Sequence, residues 1–476
     1  MKFMDLPSLG LPAGSLTIWR AHAPDLSGSP WATDPRRASH GQEARITDAL
    51  ETTGEGDPSP SWLGCTFDLP AELDDNAFAT ALRHWTDRHE TLRSHLTRCK
   101  PNTALQRKTL PPGVVGIHHS KVGGFTDGRI LARYLETLFD REASPLNWPA
   151  YVCATICHAT ATTVCLAADH SVTDGDSTLR IPHEIHALYT TALALLSDKP
   201  PPAPLPPVAS YLDFAEAERT AAAVLTTEHK SIVRWQQFVT DAGGRLPTFP
   251  LPVGKASNAL ATQPGGYAEL LNASDAHAFE RVCRAAGGDS FSGLLACLAK
   301  VGHEITGSNA FRTMIPFHTR MDSSRFSLGW YVGMGPMAFR LSATDSFIEA
   351  VRAAVAGLDG VKDLAQIPLP RVAELLGYPL RDPFMVSYSD FRRTPGARHW
   401  NAWRAAVLRS RSTDPEEVCL WAGRGRDGLV VSYRHPATDL AGIAVPRYVA
   451  RAKQLLVSVA RTTCWPSAPA TGEHGP

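Results

Sequence analysis

This chain has no C-x-x-C pair, no net charge, no membrane-length apolar run and no G-x-x-x-x-G-K-[ST] loop. Each absence excludes a class of protein. Without the glycine-rich phosphate loop, nucleotide hydrolysis of the P-loop kind has no machinery. Lys+Arg and Asp+Glu are both 47, so no overall field draws the chain to nucleic acid or an anionic membrane. No run reaches the ~18 apolar residues of a membrane helix, and Met1–Pro7 lacks the apolar core of a signal peptide. A cytoplasmic enzyme without a transmembrane segment or nucleic-acid partner is expected. The nine cysteines are scattered, odd in number and mostly inside apolar stretches, the pattern of reduced thiols rather than a disulfide framework. His84, His89, His118, His119 and His158 share no ligand spacing with a carboxylate or cysteine, so no metal site is expected.

What remains is an ordinary globular composition, 43% hydrophobic and 20% charged over 476 residues, enough for two lobes. Lys199–Pro207 (Lys-Pro-Pro-Pro-Ala-Pro-Leu-Pro-Pro) is the clear linker, stiff and extended. It divides the chain into an N-terminal lobe (1–198), a linker (199–207), a C-terminal lobe (208–464) and a disordered Pro/Gly/Ser-rich tail (465–476). Residues 1–60, rich in Pro, Gly, Ser and charge, read as a surface wrap. Alternation at Leu63, Cys65, Phe67 and Leu69 predicts a half-buried strand. Asp74 reads as a helix N-cap before Ala77, Phe78, Ala81, Leu82 and Trp85. A second helix is expected over 127–139, with Ile130, Leu131, Tyr134, Leu135 and Leu138 as its buried stripe. Residues 151–158 and 162–169 predict two strands, the second ending at His170.

His170 to Gly175 reads His-Ser-Val-Thr-Asp-Gly, an H-x-x-x-D-G hexad between that strand and a helical pattern through Leu179, Ile185, Leu188 and Tyr189. A neutral imidazole can take a proton from an alcohol or amine near pH 7. Gly175 reads either as a turn glycine needing positive φ or as a backbone N–H donor to an oxyanion at a helix start.

Several segments in order resemble nonribosomal-peptide condensation domains. Arg88-His89-Glu90-Thr91-Leu92-Arg93 is similar to their RHExLR stretch, and Leu138-Phe139-Asp140 with Ser144-Pro145-Leu146 to their FD…PL segment. The hexad resembles their HHxxxDG. Pro316–Arg320 and Gly329–Gly333 resemble their following two motifs. Leu246–Pro252 and Val386–Arg393 further resemble the polyketide-associated (Pap) acyltransferases of actinobacteria. Two departures stand out: Asp169 occupies the place of the first motif histidine, and Gly333 replaces an asparagine.

The resemblance implies an α/β fold of two chloramphenicol-acetyltransferase-like lobes forming a V with a central tunnel. It implies His170 as general base for direct attack on a thioester, with no covalent intermediate and no permanently bound cofactor. The donor would be a phosphopantetheine thioester, on an acyl carrier protein in trans or on coenzyme A, and the acceptor a hydroxyl of a small metabolite. Asp174 would be structural, paired with Arg320, with Gly175 at the oxyanion. Ser387, Ser389 and Asp390 would lie on the acceptor side, and Trp330 and Tyr331 in the core or the tunnel wall. Amide formation on a carrier-tethered amine, and a silent carrier-docking module, are the alternatives.

Overall fold

The computed structural model describes residues 3–24, 30–52, 60–70, 72–98, 103–256, 261–342, 344–381 and 383–466. Cys99 and nearly all of the expected tail lie outside these residues.

The N-terminal half builds a seven-stranded sheet. Its order is Phe3–Met4, Ala406–Arg409, Trp62–Pro70, Ala161–Asp169, Tyr151–His158, Gly14–His22 and Gly116–Phe125. Period-two alternation gives each strand two faces. Cys65, Phe67, Leu69, Val164 and Leu166 face helices Asp75–Arg88 and Gly175–Leu196. Trp62, Cys165, Ala167 and Val152 face helix Gly128–Glu142. Asp74 caps the first of these helices, accepting the Ala77 N–H at 2.8 Å. Full burial of Phe67 and Phe78 contributes about 1.5–3 kcal/mol each.

The C-terminal half builds a six-stranded sheet in the order Gly265–Asn272, Gly428–Arg434, Val418–Arg424, Phe384–Asp390, Ala310–His318 and Val332–Arg340. Helices Ala273–Ala285, Ser290–Thr306, Phe347–Leu358 and Asp439–Thr462 cover one face. Residues of helix Lys230–Thr240 pack on the other beside Met314. Among the described residues, no helix is long and apolar enough to cross a membrane. This mixed α/β architecture of two sheet-and-helix lobes is the predicted fold class.

Three features differ from the sequence reading. The N-terminal sixty residues do not merely wrap a surface. Gly14–His22 pairs with strands on both sides, and Leu16, Ile18 and Trp19 are buried. The stripe of helix Gly128–Glu142 is Leu131, Leu135, Leu138 and Phe139, while Ile130 and Tyr134 face outward. A two-turn window admitted two neighbouring faces, and the sheet selected one.

The third difference concerns the linker boundary. Ala406–Arg409 lies beyond the linker in sequence, yet it pairs antiparallel with Trp62–Pro70 inside the N-terminal sheet. Phe3–Met4 then pairs with that inserted strand. Residues 200–210 themselves form no helix or strand.

Candidate active site

The hexad begins where strand Ala161–Asp169 ends. The His170 N–H donates to the Ser61 carbonyl at 2.8 Å, fixing the start of the turn. Asp169, fully buried, accepts the Ser171 N–H at 2.8 Å through Oδ1 and the Arg45 guanidinium at 3.1 Å through Oδ2. Gln42 donates to the Ser171 carbonyl at 2.8 Å. Arg45 and Gln42 both belong to helix His40–Thr52, which therefore braces the turn from outside the motif. Sequence reasoning passed over this helix. Its signal was faint: a buried acid at 169 needs a cation, and the spacing does not say which of 47 supplies it.

The His170 ring lies against Trp330, with centroids 4.3 Å apart. Behind the indole stands Gly41, where an added Cβ would meet the Trp330 ring at 3.5 Å. His170 Nδ1 is buried with no side-chain or neighbouring partner at hydrogen-bond geometry among the described residues. Burial lowers the imidazole pKa below its ordinary value. The residue's own backbone, Asp174 and Asp169 act in the opposite direction, and Arg45 adds to the lowering. The ring is therefore a neutral base near pH 7.

Helix Gly175–Leu196 opens directly after Asp174, whose carboxylate caps it by accepting the Ser177 N–H at 2.7 Å. Asp174 is fully buried and takes both arms of Arg320, at 2.8 and 2.9 Å, plus the Tyr331 N–H at 2.9 Å. Burial opposes its charged form, but the guanidinium outweighs it and holds the carboxyl below the usual range. Arg320 also donates to Ser177 Oγ at 2.6 Å and lies over the Tyr331 ring at 4.4 Å. One carboxylate thus joins the helix after the hexad to the C-terminal lobe.

Gly175 does not need positive φ. It is the first residue of the helix, and an added Cβ would meet nothing within 4 Å. The turn-glycine reading is therefore replaced by open space above a helix start. Among the described residues no acceptor takes the Gly175 N–H. Free N–H groups at such a position are satisfied by water or can receive an anion.

The remaining expected residues separate. Trp330 touches His170, whereas Tyr331 is fully buried beneath Arg320, with its hydroxyl on Ser327 at 2.9 Å. Tyr331 is core rather than wall, because Arg320 lies over its ring and Tyr211 and Phe214 pack against it. Ser387 and Ser389 alternate with Val386 and Tyr388, which pack on the helix-covered face, so the serines lie on the opposite one. Asp390 is exposed and held by Arg392 at 2.5 Å, which also bonds Glu280. Its charge is spent in that network rather than free for an acceptor.

The RHE stretch is structural. Arg88 and His89 both hold Glu184 of helix Gly175–Leu196, at 3.1 and 2.7 Å, and Glu90 holds Arg36 at 2.9 Å. Gly333 has a steric cause, since an added Cβ would stand 1.7 Å from the Ala365 carbonyl oxygen. An asparagine requires that backbone to move.

The sequence model of the Condensation domain family matches residues 56–382. Acyltransferase PapA3 of Mycobacterium tuberculosis is 26% identical over 463 residues, covering 94% of each chain. Trehalose-2-sulfate acyltransferase PapA2 of Mycobacterium bovis is 25% identical over 409 residues, covering 84% of each. Among solved structures, a PapA2 acyl transferase superposes with a TM-score of 0.86 at 23% identity, over 97% of this chain and all of that one. The first condensation domain of the calcium-dependent antibiotic synthetase gives 0.67 at 16% identity, over 90% and 98%. With a family match over most of its length, the chain belongs to the condensation-domain family and is an acyltransferase.

Proposed function

We propose that the protein transfers an acyl group from a phosphopantetheine thioester to a hydroxyl of a small metabolite, with His170 as general base. The observation that carries this reading is a largely buried, neutral His170 against Trp330, five residues before Gly175, whose N–H at a helix start has no acceptor among the described residues. His170 Nε2 takes the hydroxyl proton as the oxygen attacks the thioester carbonyl. A C–O bond forms, and the oxyanion lies on the Gly175 N–H. The C–S bond then breaks, and the imidazolium returns its proton to the departing thiolate. No acyl-enzyme forms, and the donor enters on coenzyme A or on a carrier protein in trans.

An ester product is favoured over an amide by the relatives: PapA1 and PapA2 are named for acyl transfer to sulfated trehalose. A sugar hydroxyl is therefore the first acceptor to try. Wild type and His170→Ala are incubated with octanoyl-coenzyme A and a panel of paired alcohols and amines, and the products are weighed by mass spectrometry. Loss of the base lowers the rate by about 10²–10⁴-fold. Equal rates in both proteins refute the assignment. Amide products alone transfer it to the condensation reading, and no turnover in wild type leaves a docking module.

A further inference from the structure

The start of helix His40–Thr52 does more than end a loop. The Ser39 hydroxyl accepts the Gln42 N–H at 3.1 Å, and Gln42 Oε1 accepts the Ser39 N–H at 3.2 Å. These reciprocal bonds are a capping box, and they use only the oxygen end of the amide. The nitrogen end reaches the hexad, where Nε2 donates to the Ser171 carbonyl. Gln42 and Ser171 are both buried.

A second donor meets the same Oε1. Arg107, on strand Gln106–Thr109, places Nη2 3.1 Å from it. The guanidinium also donates to the Arg36 carbonyl at 3.0 Å, the Arg37 carbonyl at 3.2 Å and Ser94 Oγ at 2.8 Å. All four acceptors are neutral, although Arg107 is only 3% exposed. A buried cation is costly unless acceptors surround it, so this one is held by its geometry rather than by a carboxylate. Burial pushes its pKa down to about 10, against the more distant Tyr211, Asp34 and Glu90, and it remains a full donor at neutral pH.

The two ends of an amide have the same shape, so its partners alone decide which way it faces. Ser39 N–H and Arg107 both donate, which sets oxygen at their end and nitrogen at Ser171. Reversed, the amide would set donor against donor at one end and oxygen against the Ser171 carbonyl at the other. Ser171 follows His170 directly. The His170 N–H is tied to Ser61, the Ser171 N–H to Asp169 and the Ser171 carbonyl to Gln42, so the backbone is fixed on both sides of the imidazole.

We infer that Gln42, oriented by Arg107, is a positioning residue that holds the Ser171 peptide and thereby sets the His170 ring against Trp330. The inference rests on the proposed role of His170, and a spectroscopic readout tests it apart from turnover. Two variants of the full chain separate positioning from folding. In Q42E one carboxylate oxygen keeps the Ser39 N–H and pairs with Arg107, while the other faces the Ser171 carbonyl, acceptor against acceptor. Q42M keeps the length of the side chain and loses its side-chain bonds. Rates are read as thiol release from octanoyl-coenzyme A with the alcohol acceptor saturating. Q42E keeps its thermal transition and its KM, while kcat falls at least about tenfold, since a ~1 Å misplacement costs about 10²-fold. In protein labelled with ¹³C-histidine, the His170 ring resonance is assigned by its loss in His170→Ala. It moves in Q42M, because the Trp330 ring current acts from 4.3 Å, while those of His229 and His303 stay. R107M frees the amide to turn and moves the same resonance. Wild-type kcat in Q42E, or an unmoved His170 resonance in Q42M, overturns the inference. An unmoved resonance in R107M overturns the orienting part. A Q42E protein that melts well below wild type also overturns it, since the residue then serves the fold. If His170→Ala turns over as fast as wild type, the catalytic reading fails and the resonance alone decides the positioning.

Discussion

Arg45→Leu is the most revealing perturbation, because it removes one half of a buried ion pair from outside the motif. Asp169 has no solvent exposure, and the Arg45 side chain has 10%. Without Arg45, the Asp169 carboxylate retains only the Ser171 N–H from the bonds described above. Stranding a buried charge costs about 3–5 kcal/mol. The reverse change, Asp169→Asn, costs less. Its amide cannot accept from Arg45 and Ser171 at once, so one donor faces another, but Arg45 can turn to water or toward Asp48, 3.9 Å away. A loss of about 1–3 kcal/mol follows. The double variant removes both charges and should cost less than the two single losses summed, with a coupling of about 2 kcal/mol. Urea unfolding followed by fluorescence and far-ultraviolet dichroism measures all four proteins, coincident transitions being required before free energies are extracted. Activity supplies a second readout. Asp169 favours the protonated imidazole and Arg45 disfavours it, so Asp169→Asn shifts the acid limb of kcat/KM to lower pH and Arg45→Leu shifts it to higher pH. Additive stabilities, or limbs that move the same way, would show that the pair does not brace the turn.

Three further outcomes are expected. Arg320→Met leaves Asp174 buried with two backbone donors and costs about 3–5 kcal/mol, a loss that D174N/R320M partly restores in the same unfolding assay. Because Asp174 is held below the unfolded carboxyl value of ~3.9, its contribution to stability is present above that pH and lost as pH falls through the folded value, so this variant flattens the acid side of a stability–pH curve. In wild type the proposed base His170 would have to be neutral to act, and its pKa is depressed, so the acid limb of kcat/KM is expected below ~6.5; a limb above that value contradicts the burial argument. Gly175→Ala meets no steric obstacle and gains helix propensity, so the thermal transition stays or rises while turnover falls at least tenfold, as the methyl occupies the space over the N–H; unchanged turnover would place the thioester elsewhere.

Strands and capped helices of the N-terminal lobe were legible because alternation and caps are local. Trp62–Pro70 and the Asp74 cap follow from a few neighbouring residues. The pairing of Asp174 with Arg320 was legible through the order of short motifs, not through spacing. Burial by distant partners was not legible. Nothing near residue 45 announces a cation for Asp169, and nothing in Tyr331 distinguishes a ring lining a passage from one pinned beneath a guanidinium. Gly14–His22 was hidden by its neighbours, since a strand that recruits partners from residues 116–125 and 151–158 shows only a short alternating signal of its own.

The inserted strand Ala406–Arg409 changes what the Pro-rich linker is for. Severing the chain at 199–207 yields pieces of which neither contains a whole N-terminal sheet, since the second piece carries one of its internal strands. Each piece is therefore incomplete alone, and co-expressed pieces are expected to co-purify through strand complementation. A strand donated from beyond the linker, and not the linker alone, joins the two lobes.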